Sequence, residues 1–318
     1  MMSVVVYVES QNGVIKKAGL EVASYGRAIA NATNTSLIAV TFNTNDSSVL
    51  NSHGVDKVYN INTAEDSFFN VDRYSASLVP IIEKEEASIV VVSATADGRY
   101  LGPILAVGAQ AAYFSNVVAL PSSYAPLTVK RSCFTNKAFN ESVSNQSKAV
   151  ICLSSNAFGL KEQTSNAENL EGEYLVSNST LKVTAVDKVT DKVTIADADI
   201  VVSGGRGLKG PENWHLIEDL AAVLGAATAC SKPISDMGWR PHSEHVGQTG
   251  KPVASNLYIA IGVSGAIQHL AGINSSKIKV VINNDPEAPF FKAADYGIVG
   301  DAFEVVPKLI QKLRAIKQ

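Results

Sequence analysis

Short apolar runs alternate with stretches whose apolar residues recur at helical spacing over the first 120 or so positions. The runs VVVYVE, SLIAVTF, VDKVYNI, SIVVVSAT and NVVAL read as strands, and the stretches 18–32, 71–86 and 101–112 read as crossover helices between them. Strand and helix in alternation predict an α/β domain with a mostly parallel sheet. Asp97-Gly98-Arg99 follows one of these strands, at the edge where such a sheet holds ligands, but the favoured reading is a polar turn opening the next helix. No glycine-rich phosphate loop occurs in this half, so no nucleotide is expected there.

Between about 124 and 197 the pattern shortens to VKRSCF, KAVICL, EYLVS and LKVTAVDKV, which suggest antiparallel strands added to the first domain. The segment Ser154 to Gly172, rich in Ser, Asn and Glu, reads as an exposed, mobile loop. A boundary is expected near Thr190 to Asp199, because DIVVSGG then opens a fresh βα unit. Its turn is Gly205-Arg206-Gly207-Leu208-Lys209-Gly210, a literal GxGxxG before a helix begun by Pro211. That helix carries Trp214, Ile217, Leu220 and Leu224 on one face and ends at Gly225. A second strand, Ala226 to Ser231, leads into Lys232-Pro233 and a loop holding Asp236.

A third strand, Leu257 to Val263, is cut by glycines and meets a helix for which Ser264 is the expected N-cap. The amides of Gly265, Ala266 and Ile267 would then lack intrahelical partners and face an anion, with Gln268 one turn above Ser264 and His269 beside it. Asn283 closes the next strand. Asp301 opens the last helix, with Glu304 three residues on in a capping-box arrangement.

Composition adds bounds. With 318 residues, 46% hydrophobic and 18% charged, the chain suits two soluble globular domains, 1–195 and 196–318. A formal net charge of −3 without a basic run argues against nucleic acid. Cys133, Cys152 and Cys230 are scattered, which suggests reduced thiols and a cytoplasmic setting. Val4 to Val8 reads as a first strand and not a secretory signal, no presequence is present, and no segment is long enough to span a membrane. A zinc reading of His242, Ser243, Glu244 and His245 is set aside, because Pro241 argues against a helix and no further ligand cluster is in sight. A hydrolase reading of Gly262-Val263-Ser264-Gly265-Ala266 fails because Ala266 replaces the second glycine of a nucleophile elbow. An NAD-dependent oxidoreductase built on the GRGLKG turn stays open, although the candidate for the acidic residue that should close the second strand, Asp236, sits past Pro233 in a loop.

The segment YIAIGVSGAIQHLAG followed by INNDPEAPFFKAADYGIVGD, with VVSGGRGL and VGQTG upstream, resembles the electron-transfer flavoprotein α subunit. The resemblance is strong over the C-terminal third and architectural over the N-terminal half. It implies a C-terminal Rossmann-like domain that binds FAD, with no catalytic residue and no metal. Implied cofactor contacts are Arg206; Ser231 and Lys232 against the flavin, where the family usually has Ser-Arg; and Val246, Gly247, Gln248 and Thr249 at the isoalloxazine, the threonine hydroxyl beside N5. Ser264, Gly265, Ala266, Ile267 and Gln268 follow, His269 is implied at the flavin O2, and Asn283, Asp301 and the Ala302 amide at the adenosine half. The resemblance further implies a heterodimer with a β subunit. Electrons would come from acyl-CoA dehydrogenases, as in fatty acid β-oxidation, and pass to a quinone oxidoreductase. A bifurcating, NADH-oxidising complex is the alternative.

Overall fold

The computed structural model describes residues 3–63, 68–134, 136–176, 179–186, 194–195 and 198–317. The chain divides into two compact units, Met1–Cys133 with Phe139–Asp187, and Phe134–Ala138 with Lys188–Gln318. Most of the boundary expected at 190–199 lies outside the described residues.

In the first unit the elements are β1 (Ser3–Val8), α1 (Lys17–Thr33), β2 (Leu37–Phe42), β3 (Lys57–Ile61), α2 (Val71–Lys84), β4 (Ala87–Ser93), α3 (Ala96–Gly108), β5 (Ala112–Val117), β6 (Leu127–Cys133), β7 (Ala138–Ser144), β8 (Ala149–Leu153) and β9 (Glu168–Gly172). The sheet runs β7-β6-β5-β8-β4-β1-β2-β3-β9. Its central pairs are parallel and β6 is antiparallel to β5. Alternation along β1 sends Val4, Val6 and Val8 into one core beside Val22, Tyr25 and Ile29 of α1. Val5 and Tyr7 enter the other core, beside Leu78 of α2 and Leu101 of α3. A strand covered on both faces has no polar alternation, which is why these runs read as continuously apolar.

Local chemistry fixes the helix starts. Asn70 caps α2 by accepting from the amides of Asp72 and Arg73, each at 3.2 Å. Thr95 caps α3 by accepting from Gly98 N at 3.1 Å, so Asp97-Gly98-Arg99 is the first turn of a capped helix.

Four expectations for this half are corrected. KAVICL is not an added antiparallel strand: it is β8, parallel and inserted between β4 and β5, with all five residues buried. Of EYLVS, residues 173–176 form no strand and Ser177 lies outside the described residues; the strand lies just before it, as β9 along the edge of β3, inside the segment expected to be a loop. The rest of that segment is held as well, because the buried Glu21 carboxylate accepts from the amides of Asn156 (2.8 Å), Phe158 (2.9 Å) and Gly159 (2.8 Å). Of LKVTAVDKV, residues 181–186 carry no strand and the rest lie outside the described residues.

The second unit contains β10 (Ile200–Gly204), α4 (His215–Leu224), β11 (Ala227–Cys230), α5 (Lys232–Asp236), β12 (Leu257–Ile261), α6 (Ile267–Ile273), β13 (Ile278–Asn283), β14 (Tyr296–Val299) and α7 (Ala302–Lys317). All five strands are parallel, in the order β11-β10-β12-β13-β14. The order reverses between β10 and β12, and in an open parallel sheet ligands bind beyond the carboxyl ends of the strands at such a reversal. Asp236 closes the short helix α5 and is not in a loop, because Pro233 in the first turn starts a helix as readily as it ends one. Gly225 closes α4 at φ 67°, as its position predicts. Among the described residues no helix is long and apolar enough to cross a membrane.

Candidate functional site

Two glycine turns meet at the strand-order reversal. Gly205 N donates to the Ile261 carbonyl at 2.9 Å, and Gly207 N to that of Gly262 at 3.1 Å. A Cβ on Gly205 would stand 2.2 Å from the Gly262 oxygen, and one on Gly207 2.6 Å from the Gly262 Cα. Gly262 itself is at φ 62°, where a side chain is strained. Backbone therefore touches backbone, and both turns are fixed at the same place.

Beyond these turns opens a cavity of about 460 Å3. Arg206, Ser231, Lys232, Val246, Gly247, Gln248, Thr249, Ser264, Ala266, Gln268, His269 and Asn283, all singled out in the sequence, line it. They come from the ends of four strands and from the loop after α5. Four other candidates are not on this wall. Gly265, at φ 87°, packs on Phe290, whose amide a Cβ would meet at 2.5 Å. Ile267 is exposed. Asp301 accepts from Phe303 N at 2.9 Å at the start of α7, 3.8 Å from Lys209 Nζ, and Ala302 follows it, buried.

Ser264 is not the N-cap of α6. The helix starts at Ile267 behind Ala266, and the Ser264 carbonyl accepts from Phe290 N at 3.1 Å. The positive φ values of Gly262 and Gly265 turn the chain before it can coil, which places the cap two residues later. The Asn283 side chain braces this turn, donating to the Val263 carbonyl at 3.1 Å and accepting from Asp285 N at 3.0 Å.

The loop 246–250 is tied on three sides. Val246 N donates to the Cys230 carbonyl at 3.0 Å, Gln248 N to that of Gln268 at 2.8 Å, and Lys251 N to that of His245 at 2.9 Å. Arg240 anchors its approach: the guanidinium grips both oxygens of Glu244 at 2.8 and 2.9 Å, reaches Glu218 at 3.1 Å and lies 5.4 Å from the Trp214 ring. With Glu244 so engaged, His242 and His245 lack the carboxylate a metal reading required. His245, Gly207, Gly262, Val263, Asp285, Ala288 and Pro233 also line the cavity; the sequence reading quoted each within a motif but assigned none of them to the cofactor.

Two imidazoles adjoin the cavity. Burial, then neighbouring His245, hold His269 down to about 4, partly offset by the Val246 backbone. Burial, then His242, also keep His245 below its ordinary value, with Lys232 adding to this and Asp236 opposing it. Both rings are therefore neutral near pH 7, and among the described residues the buried Nδ1 of His245 has no hydrogen-bond partner.

Residues 4–173 match the electron transfer flavoprotein domain, and residues 194–274 match the electron transfer flavoprotein FAD-binding domain. The chain is 36% identical to the electron transfer flavoprotein subunit alpha of Bacillus subtilis, over 98% of each chain. It is 33% identical to that of Syntrophomonas wolfei, over 97% of this chain and 98% of the relative. It is 31% identical to protein FixB of Clostridium saccharobutylicum, over 98% and 96%. The chain belongs to the electron-transfer flavoprotein α subunit family.

As a member of this family it is an electron-transfer flavoprotein chain, and its cofactor is FAD. The cavity suits such a group. Arg206 and Lys232 on its wall supply positive charge for a pyrophosphate or an electron-rich ring, and Ser231, Thr249 and Gln268 bring polar side chains to the same wall.

Proposed function

We propose that this chain is the α subunit of a heterodimeric electron-transfer flavoprotein. Its FAD lies in the cavity, with the flavin against Val246–Thr249 and the adenosine end toward Asn283, Asp301 and Ala302. The observation that carries this reading is the convergence of four separate motif segments on one cavity at the strand-order reversal. When bound, FAD supplies reversible one- and two-electron acceptance. The residues of the chain do the rest: Gly247 and Gly262 keep the walls close, Lys232 and Arg206 place positive charge where an electron is gained, and Thr249 and His269 offer polar groups to the ring edge.

A β subunit completes the reading. The exposed apolar face of α3, with Tyr100 at 70% and Val107 at 81% exposure, is in keeping with a surface that a partner covers. The donor we propose is a dehydrogenase of the acyl-CoA type, the acceptor a quinone oxidoreductase, and the setting the cytoplasm. The test is co-expression with the β chain, chromatography of the released flavin, and absorbance during reduction by an acyl-CoA dehydrogenase with its substrate or by NADH. Yellow protein reduced through the dehydrogenase supports the reading. Direct reduction by NADH favours the bifurcating alternative, and absence of flavin overturns both.

A further inference from the structure

His245 carries none of the contacts implied for the cofactor, yet it lines the cavity and is only 2% exposed. The chain after it is moulded on its ring. A Cβ on Gly250 would stand 2.9 Å from both Cγ and Nδ1, and one on Gly247 would stand 3.4 Å from Nε2. The His245 carbonyl accepts from Lys251 N at 2.9 Å, so the turn 246–250 starts and ends on this residue.

The two ring nitrogens have different surroundings. Nδ1 lies under Gly250 and, among the described residues, has no hydrogen-bond partner. A proton placed there would be a buried donor without an acceptor, which is costlier than a bare lone pair. Nε2 lies on the side of Gly247, which itself borders the cavity. The charged and titratable groups around the ring are His242, whose ring centroid is 5.2 Å away, Lys232, Asp236 and His269. Positive charge and a second histidine together oppose protonation.

We propose that His245 is a further cofactor-contacting residue: a neutral imidazole with its proton on Nε2, which donates a hydrogen bond to an oxygen or ring nitrogen of the bound flavin while its ring templates the 246–250 turn. This rests on the FAD reading above. An imidazole donor at the ring edge stabilises the charge gained on reduction, because it is held in place before the electron arrives.

Three variants of the full chain with its β partner separate the donor from the template. His245→Gln keeps an N–H of similar reach, His245→Phe keeps a ring without a donor, and His245→Ala removes both. Flavin dissociation and reduction potential are the readouts. We expect His245→Gln to stay near the parent, and His245→Phe to release FAD about tenfold more readily and to have a lower potential, as loss of one hydrogen bond implies. Equal behaviour of the Gln and Phe variants, in either direction, overturns the proposal. Should the variants not fold, nitrogen NMR of histidine-labelled parent complex decides: the Nε2–H tautomer near pH 7 supports it, and the Nδ1–H tautomer or an imidazolium overturns it. If the parent complex holds no FAD, the reading of the cavity fails instead, and the tautomer is still measured in the same sample.

Discussion

The Tyr258 hydroxyl oxygen stands 2.9 Å from Nε2 of His269, and both side chains are buried. This contact fixes the imidazole of a residue that lines the cavity. Its burial has a pH signature. As pH falls through about 6.5 the unfolded chain protonates this histidine, while the folded chain refuses the proton until about 4. The resulting stability is complete above about pH 6.5 and is lost progressively toward about pH 4. Between about pH 7 and pH 5 the loss is about 2 kcal/mol. Urea unfolding of the parent and of His269→Gln at these two pH values measures it, with the variant losing less. Equal losses in the two proteins would remove His269 as the cause.

Gly207→Ala tests the contact between the two glycine turns. Its Cβ would meet the Gly262 Cα at 2.6 Å, and neither backbone can yield without moving a strand end. Overpacking of this kind costs about 1–3 kcal/mol. Lower thermal stability together with easier FAD loss is expected; a variant with the melting temperature and FAD content of the parent would show that the turns can part.

Arg240 holds the approach to the 246–250 loop. Arg240→Ala leaves the carboxylate of Glu244, 11% exposed, without its guanidinium, and should cost about 2–3 kcal/mol. Arg240→Lys keeps the charge but not the two-pronged grip, so it should recover only part of the loss. Calorimetry ranks the three proteins, and an equal ranking of Lys with Arg would mean that charge alone suffices.

Lys232 lines the cavity but is exposed, so water screens it. Lys232→Ala should lower the one-electron potential of the bound flavin by no more than about 59 mV, the equivalent of about 1.4 kcal/mol. Lys232→Arg should stay closer to the parent, since the charge is retained. Potentiometric titration of the three complexes is the measurement, and a rise on removal of the ammonium would contradict the assigned role.

Strand runs such as Val4–Val8 and Leu257–Ile261 were readable because a strand covered on both faces is continuously apolar. The position of β8 was not, since nothing in Ala149–Leu153 says which neighbours it takes; a strand inserted between β4 and β5 has the same composition as one added at an edge. The cavity wall was largely readable from its motifs. Ser264 misled because a good capping residue was present while two positive-φ glycines delayed the helix. Arg240 and His245 were missed because their roles arise from groups brought near by folding, the Glu244 and Glu218 carboxylates in one case and the enclosing turn in the other.

The Glu21 carboxylate ties helix α1 to three amides of a segment more than 130 positions further on. By composition that segment is a linker, and a protease would be expected to find it. With its amides bound to a buried anion, it opens only when α1 moves, so the cleavage rate there reports on unfolding of the first unit and not on local fraying. A stretch that looks disposable in the sequence thus serves as a latch, and shortening it would release the helix that covers one face of the sheet.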